Sequence, residues 1–244
     1  MNKEEYIYGS RAVIEAVKNG RPIDKVILKR GLDNKLQSQL FRLIKDRGIP
    51  YQFVPVEKIN RITKKNHQGV LAYLSVVEFS NIEMLLPGIF ESGDNPIILV
   101  IDRVTDVRNF GAIVRTAECA GVHAIIIPEK GMARIGADAV KTSAGALNYF
   151  PVCKSDNLPS AIKYMKNSGI RIVAANEKAK KLYVETKMDI PICIIMGAED
   201  QGISPDILKL ADDVVKIPIL GKIESLNVSV AAAVLIYEAV RQRC

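Results

Sequence analysis

Five short, largely apolar runs limit the folds open to this chain: Ile97 to Ile101, Ala124 to Ile127, Ile170 to Ala175, Ile192 to Met196 and Val214 to Ile219, broken only by Arg171 and Lys216. A strand with one wet face alternates apolar and polar residues, and these runs do not. Near-continuous apolarity marks strands covered on both faces, the condition of a parallel sheet between helical layers. Helices are predicted between the runs. One follows Asp102 and carries Phe110, Ile113, Val114, Ala117 and Gly121 on one face; others lie near Leu158 to Lys166 and Pro205 to Leu210. A last one carries the stripe Val228, Ala231, Ala232, Leu235 and Ala239, with Ser225 and Asn227 both suited to cap its start. In an open parallel sheet, ligands bind at the carboxyl ends of the strands.

Three polar segments fall at those ends. The first runs from Asp102 to Ala117, with Asn109 near the helix start and Arg115 off the apolar stripe. The second is Gly197-Ala198-Glu199-Asp200-Gln201-Gly202, whose glycines let backbone approach a ligand closely. The third is Lys216 to Ala231, a strand, a tight Gly221 loop and a helix N-terminus whose free N–H groups suit an anion. Taken singly, each also fits an ordinary turn or cap, and Arg115 an exposed pair with Glu118. The standard nucleotide signatures are missing: no G-x-G-x-x-G follows a strand, and Lys141-Thr142-Ser143 follows Val140 where a P-loop needs glycine.

The first third of the chain differs. Residues 1–78 hold 15 Lys and Arg against 8 Asp and Glu, whereas the remainder holds 19 of each, so the whole net charge of +7 lies there. That asymmetry suggests a nucleic-acid-facing module joined to a neutral one. Ser10 is read as capping a first helix with Val13, Ile14 and Val17, and Asn34 to Asp46 as a second. Strands are expected at Lys25 to Arg30, Tyr51 to Val54 and Val70 to Val77, with a short helix over Val56 to Ile62. The loop Lys64-Lys65-Asn66-His67-Gln68-Gly69 could contact phosphates and unpaired bases, or be a solvated turn. Residues 79–95, with Pro87, Gly88 and Gly93, read as a partly helical linker, leaving 96–244 as the second domain.

Several classes are excluded. Cys119, Cys153, Cys193 and Cys244 form no Cys-x-x-Cys pair, and with only His67 and His123 beside them a metal site has no framework. Cys119 and Cys193 read as reduced core residues. Neither histidine sits where a hydrolase triad needs one. No apolar run approaches the ~18–20 residues of a membrane span. The polar start Met1-Asn2-Lys3-Glu4-Glu5 does not read as a secretory signal, so a cytoplasmic protein is expected.

Together, the three segments resemble the signature motifs of the SpoU/TrmH family of RNA ribose 2′-O-methyltransferases. Asn109-Phe110-Gly111 through Arg115-Thr116-Ala117 match the first, Met196-Gly197-Ala198-Glu199 with Gly202 the second, and Ile217-Pro218-Ile219 through Ser225-Leu226-Asn227-Val228-Ser229 the third. Tyr8-Gly9, Val13, Glu15-Ala16 and His67-Gln68-Gly69-Val70 resemble the family's amino-terminal RNA-binding domain, which is similar to ribosomal protein L30e. The resemblance, with Glu238 to Arg243 included, points to members that methylate a guanosine of large-subunit ribosomal RNA.

What the resemblance implies is an α/β chain: a small L30e-like domain, then a parallel-sheet domain tied in a deep trefoil knot, the SPOUT arrangement. It implies S-adenosylmethionine as cofactor, held around Ala175, Gly197, Ile217 and Leu226, and a homodimer with no metal. Arg115 is the family's candidate base, which is chemically awkward because a guanidinium does not ordinarily give up its proton. A phosphate clamp suits Arg115 better, with Asn109, Glu199, Ser225 and Asn227 orienting it, the ribose and the cofactor. Lys64, Lys65, His67 and Gln68 would meet the RNA. Transfer RNA as acceptor, or a non-catalytic RNA-binding protein with this fold, are the alternatives. Asp200-Gln201 and Lys222-Ile223-Glu224 lie between motif residues and carry no reading of their own.

Overall fold

The computed structural model describes residues 6–31, 34–132 and 135–244, in two compact units divided between Glu78 and Phe79. The first unit runs β1 (Tyr6–Tyr8), α1 (Ser10–Lys18), β2 (Ile23–Lys29), α2 (Lys35–Asp46), β3 (Tyr51–Val54), α3 (Val56–Ile62) and β4 (Val70–Leu74). Its sheet has the order β1-β4-β2-β3, antiparallel except for the parallel pair β2–β3. Alternate residues of each strand serve two cores, as a pleat requires. Val26, Leu28, Val70 and Ala72 pack under Val13, Val17, Leu40 and Ile44 of α1 and α2. Ile27, Leu71 and Tyr73 pack on the other side with Ile59 of α3.

Two details of this unit depart from expectation. Gly9, not Ser10, stands at the N-cap of α1, with φ 87°, where a side chain would be strained; Ser10 is already helical and buried. Strand β4 stops at Leu74, because Ser75 turns its hydroxyl onto the Val77 carbonyl at 2.7 Å. Asn34 does cap α2, accepting from the Gln37 amide at 2.9 Å.

The second unit opens with β5 (Phe79–Ser80) and α4 (Ile82–Glu91), so the stretch 79–95 is not a free linker. Phe79 and Ser80 form an edge strand of the sheet, paired with Val152 and Cys153, and Ile82 and Leu86 are buried in the core. Pro87 reads as a helix breaker but sits inside α4; the Glu83 carbonyl, whose helical donor Pro87 lacks, faces the Tyr164 hydroxyl at 3.4 Å. There follow β6 (Ile97–Ile101), α5 (Val107–Cys119), β7 (Ala124–Pro128), α6 (Ala137–Thr142), β8 (Val152–Ser155), α7 (Leu158–Asn167), β9 (Arg171–Ala175) and β10 (Lys181–Leu182). The unit closes with β11 (Ile192–Met196), α8 (Pro205–Leu208), β12 (Asp213–Lys216) and α9 (Val228–Arg241).

All its strand pairs are parallel, in the order β10-β12-β9-β11-β6-β7-β8-β5. Ile98, Val100, Ile126, Ile172 and Ile195 meet α4, α7 and α8 on one face, while α9 packs against α5 and β11. Both faces are covered, which is why the strands read as largely apolar runs. The chain builds β7 and β8 on one side of β6, then crosses to the other, where β11 lies between β6 and β9. That reversal opens a crevice beyond the strand ends.

Two sets of charges fasten this unit. Partial burial pushes the Asp213 carboxyl up, but hydrogen bonds from Arg171 and Lys181, both at 2.7 Å, outweigh it and hold it below the usual carboxylate range. Beyond α9, the Arg243 guanidinium donates to the main-chain carbonyls of Asn95, Pro96, Met188 and Ile190. Burial lowers its pKa. Cys153 and Cys193 are buried, and burial pushes the Cys153 thiol up to about 11. Cys119, expected in the core, is exposed, because α5 ends there and turns it away from the sheet. Among the described residues no helix is long and apolar enough to cross a membrane.

Candidate functional site

Beyond β11 the chain makes a tight turn. The backbone of Ala198 and Gly202 pair with each other, N to O at 3.2 and 2.9 Å, and Gly202 has φ 63°. A Cβ on Gly197 would lie 2.2 Å from the Gly202 carbonyl carbon and 2.3 Å from the Ile203 nitrogen, so only glycine fits. Asp102, at the end of the neighbouring β6, is buried and accepts the Ser204 amide at 2.7 Å. Arg103 hydrogen-bonds Asp102, Gln201 and the Gly202 carbonyl.

This turn forms one wall of a cavity of about 240 Å³ at the carboxyl ends of β9, β11 and β12. All four positions expected to hold the cofactor, Ala175, Gly197, Ile217 and Leu226, line it, as do Glu199 and Ser225. The opposite wall is the segment 217–227. Strand β12 ends at Lys216 rather than Ile219, and nothing between Ile217 and Asn227 is helix or strand. Among the described residues, no backbone hydrogen bond involves 217–226, so these peptide groups remain open to a ligand. Leu220 is 97% exposed and Ile223 78%.

At the rim the three polar segments meet. Asp106 caps α5 by accepting from Arg108 and Asn109 at 2.6 and 3.1 Å, which sets Asn109 on the first turn. Gly111 lets α6 approach, since a Cβ there would sit 2.6 Å from the Thr142 Cβ. The Asn109 amide donates to Glu199 Oε1 at 2.8 Å. The Asn227 amide donates to the same oxygen at 3.0 Å and to Asn109 Oδ1 at 3.0 Å. Asn227 Oδ1 meanwhile caps α9, accepting from the Ser229 amide at 2.9 Å. Thus Asn109, Glu199 and Asn227, up to 118 residues apart, close a hydrogen-bonded triangle. Ser225, weighed as a cap, lines the cavity instead. Arg115 is exposed on α5 and, among the described residues, makes no hydrogen bond or ion pair, with Glu118 or otherwise. Its guanidinium is unspent.

In the first unit, Lys64, Lys65 and Gln68 are exposed, and the Lys65 ammonium lies 5.6 Å from the Tyr8 ring centroid. His67 is different. It is 8% exposed, its Nε2 lies 2.7 Å from Asn60 Oδ1, and its Nδ1 accepts the Gly69 amide at 3.0 Å. With both ring nitrogens engaged, His67 braces the loop from within. Gln68 takes a left-handed φ of 51°, and its carbonyl accepts from Gln37 at 2.8 Å.

The chain is similar to known proteins over its whole length. The SpoU rRNA Methylase family matches residues 96–237, and a family described as RNA 2′-O ribose methyltransferase substrate binding matches residues 6–79. YacO of Bacillus subtilis, provisionally named a TrmH family tRNA/rRNA methyltransferase, is 32% identical over 241 residues, or 99% of this chain and 97% of its own. The solved structure of the SpoU methyltransferase AviRb from Streptomyces viridochromogenes, in complex with AdoMet, shares the fold at TM-score 0.62 and 23% identity, covering 98% of this chain and 90% of its own. The A. aeolicus TrmH/SpoU tRNA modifying enzyme is 33% identical, at TM-score 0.56, over 66% of this chain and 84% of its own.

Proposed function

The chain belongs to the SpoU rRNA methylase family and is an RNA methyltransferase, and from that premise we propose that it methylates the ribose 2′-hydroxyl of a guanosine in large-subunit ribosomal RNA. The observation that supports a methyl-transfer site is the Asn109–Glu199–Asn227 triangle, which draws three distant segments to the rim of one cavity, while the ribosomal guanosine rests on the motif resemblance.

The proposed cofactor is S-adenosylmethionine, which when bound supplies an electrophilic methyl group on a sulfonium. The residues present fit it. Gly197 leaves room only for backbone, 217–226 offers unspent peptide groups, and Val215, Leu226 and Val228 give the cavity apolar sides. Ala175, Gly197, Ile217 and Leu226 would hold it. Glu199 accepts two amide N–H groups and so keeps Asn109 and Asn227 in fixed register at the rim. Arg115, free of partners among the described residues, would grip an RNA phosphate in its planar fork and so align the ribose hydroxyl. Alignment supplies much of the acceleration in such transfers. Ser225, which lines the same cavity, would help to orient the ribose.

The basic first unit would hold the RNA through Lys64, Lys65 and Gln68. Replacing both lysines by Ala should weaken RNA binding and reduce the slope of log affinity against log salt by about 1.4, the value for two single-strand phosphate contacts. An unchanged slope would remove the loop from the RNA footprint. The knotted connection is carried here on the family resemblance. A homodimer through the second unit is supported by the exposed Leu220, Ile223, Val230 and Tyr237; light scattering reads it directly. A cytoplasmic location follows from the proposed substrate.

A transfer-RNA acceptor is the second reading, favoured by the 33% identity to the A. aeolicus tRNA modifying enzyme. The test offers S-adenosylmethionine with a labelled methyl to unmodified ribosomal and transfer RNA separately. Label on one ribose of large-subunit RNA is the expected result. Label on transfer RNA alone would overturn the substrate, and no label with no cofactor binding would overturn the enzyme.

A further inference from the structure

Arg103 stands two residues beyond β6 and has φ 60°, the left-handed region that a residue with a Cβ adopts at a cost. No local turn requires a large side chain there, and glycine would take the same backbone without strain. The side chain, however, is fully spent. Its Nε donates to Asp102 Oδ1 at 3.1 Å, and one terminal nitrogen donates to Gln201 Oε1 at 2.8 Å. The other lies 3.4 Å from both the Gly202 carbonyl and Asp102 Oδ2. Asp102 is buried and takes the Ser204 amide with its second oxygen at 2.7 Å. The pair therefore grips the C-terminal half of the turn, at 201–202 through Arg103 and just beyond it, at 204, through Asp102.

From this geometry we infer that Arg103 is a positioning residue for the cofactor site: its fork, held by Asp102, fixes Gln201 and Gly202 and thereby aims Glu199 at Asn109 and Asn227. Gln201 and Gly202 themselves line the cavity. The strained backbone puts the guanidinium within reach of a turn 98 residues away in sequence. Arg103 itself does not line the cavity; it acts through the turn. A side chain kept only for stability would, on removal, loosen the whole unit, whereas a residue that positions the turn loosens Ala198 and Gly202 first.

The identity of the ligand rests on the function proposed above, so the experiment separates the two. Arg103→Gly, Arg103→Lys and Gln201→Ala are compared with the unaltered full chain by three measurements: melting temperature without ligand, amide exchange at Ala198 and Gly202 without ligand, and S-adenosylmethionine affinity by calorimetry. Arg103→Gly relieves the left-handed backbone but strips the buried Asp102 carboxylate of its cation, so it should melt lower, with the faster exchange concentrated at the two amides. It should also bind S-adenosylmethionine roughly tenfold or more weakly, the factor for losing one charge-assisted hydrogen bond. Arg103→Lys, which keeps the charge but not the fork, should lose affinity as the glycine variant does, and Gln201→Ala should lose part of it. RNA affinity of the first unit should not change. A lowered melting temperature with faster exchange throughout the unit would make Arg103 merely structural and overturn the inference. So would unaltered exchange and affinity in Arg103→Gly. If the unaltered protein binds no S-adenosylmethionine, the function fails, while exchange at Ala198 and Gly202 still decides the role of Arg103.

Discussion

The two walls of the cavity are built on opposite principles. The 197–203 wall is closed by its own backbone pair, admits no side chain at Gly197, and is gripped by Asp102 and Arg103. The 217–227 wall has no backbone hydrogen bond before Asn227 among the described residues and exposes Leu220 and Ile223. One wall is finished before any ligand arrives; the other has polar groups to offer. Preorganisation lowers the cost of binding, and open peptide groups supply the specific contacts. The Asn109–Glu199–Asn227 triangle joins them, with Glu199 rising from the finished wall and Asn227 ending the open one.

The largest effect should come from the finished wall. Gly197→Ala sets a methyl against backbone that cannot yield, at a cost of about 3 kcal/mol, or roughly 6–12 °C in melting temperature for a domain of this size. Cofactor binding should be lost with it. Full affinity in this variant would show the wall to be pliable and end the contrast. At the join, Asn227→Asp keeps an oxygen to cap α9 but loses the donated N–H and sets a second carboxylate against Glu199. Stability should change by less than about 1 kcal/mol, while methyl transfer falls roughly tenfold to hundredfold as a charge-assisted bond becomes repulsion. Loss of both together would mean that Asn227 only caps the helix. The smallest effect belongs to the open wall. Amides of 219–226 should exchange fast in the free protein and slow about tenfold with saturating S-adenosylmethionine, on the scale of one new hydrogen bond. The Ala198 and Gly202 amides should be protected in both states. Equal protection of the two walls without ligand would contradict the contrast.

How much of this was legible in the sequence follows from the physics of each part. Strands β6, β7, β9 and β11 were read nearly to the residue, because burial on both faces writes a largely apolar run. The same signal overran β12, since Ile217 and Ile219 are apolar for the cavity rather than for the core. Val152 to Ser155 was missed because an edge-side strand with Lys154 and Ser155 carries no such run. The stretch 79–95 was misread because Pro87 and Gly88 outweighed the helical spacing of Ile82, Leu86 and Ile89. The motif residues were found, but their contacts were not. Arg103 and Gln201 carry no local pattern, and a left-handed φ at an arginine is set by a partner nearly a hundred residues on. The 64–69 loop shows the reverse: its basic and amide residues draw the eye to RNA, while His67 within it is buried and holds Asn60 and the Gly69 amide.

The open wall has a consequence for how such a protein can change over generations. Residues 217–226 are largely exposed and contribute little to the packed interior, and among the described residues the finished wall is hydrogen-bonded to this segment only through Asn227 at its end. Substitutions at Ile219 or Glu224, exposed residues that line the cavity, can therefore alter what it accepts without endangering the fold. Heritable novelty in ligand choice has a place to accumulate in this chain, insulated from the residues on which survival of the folded state depends.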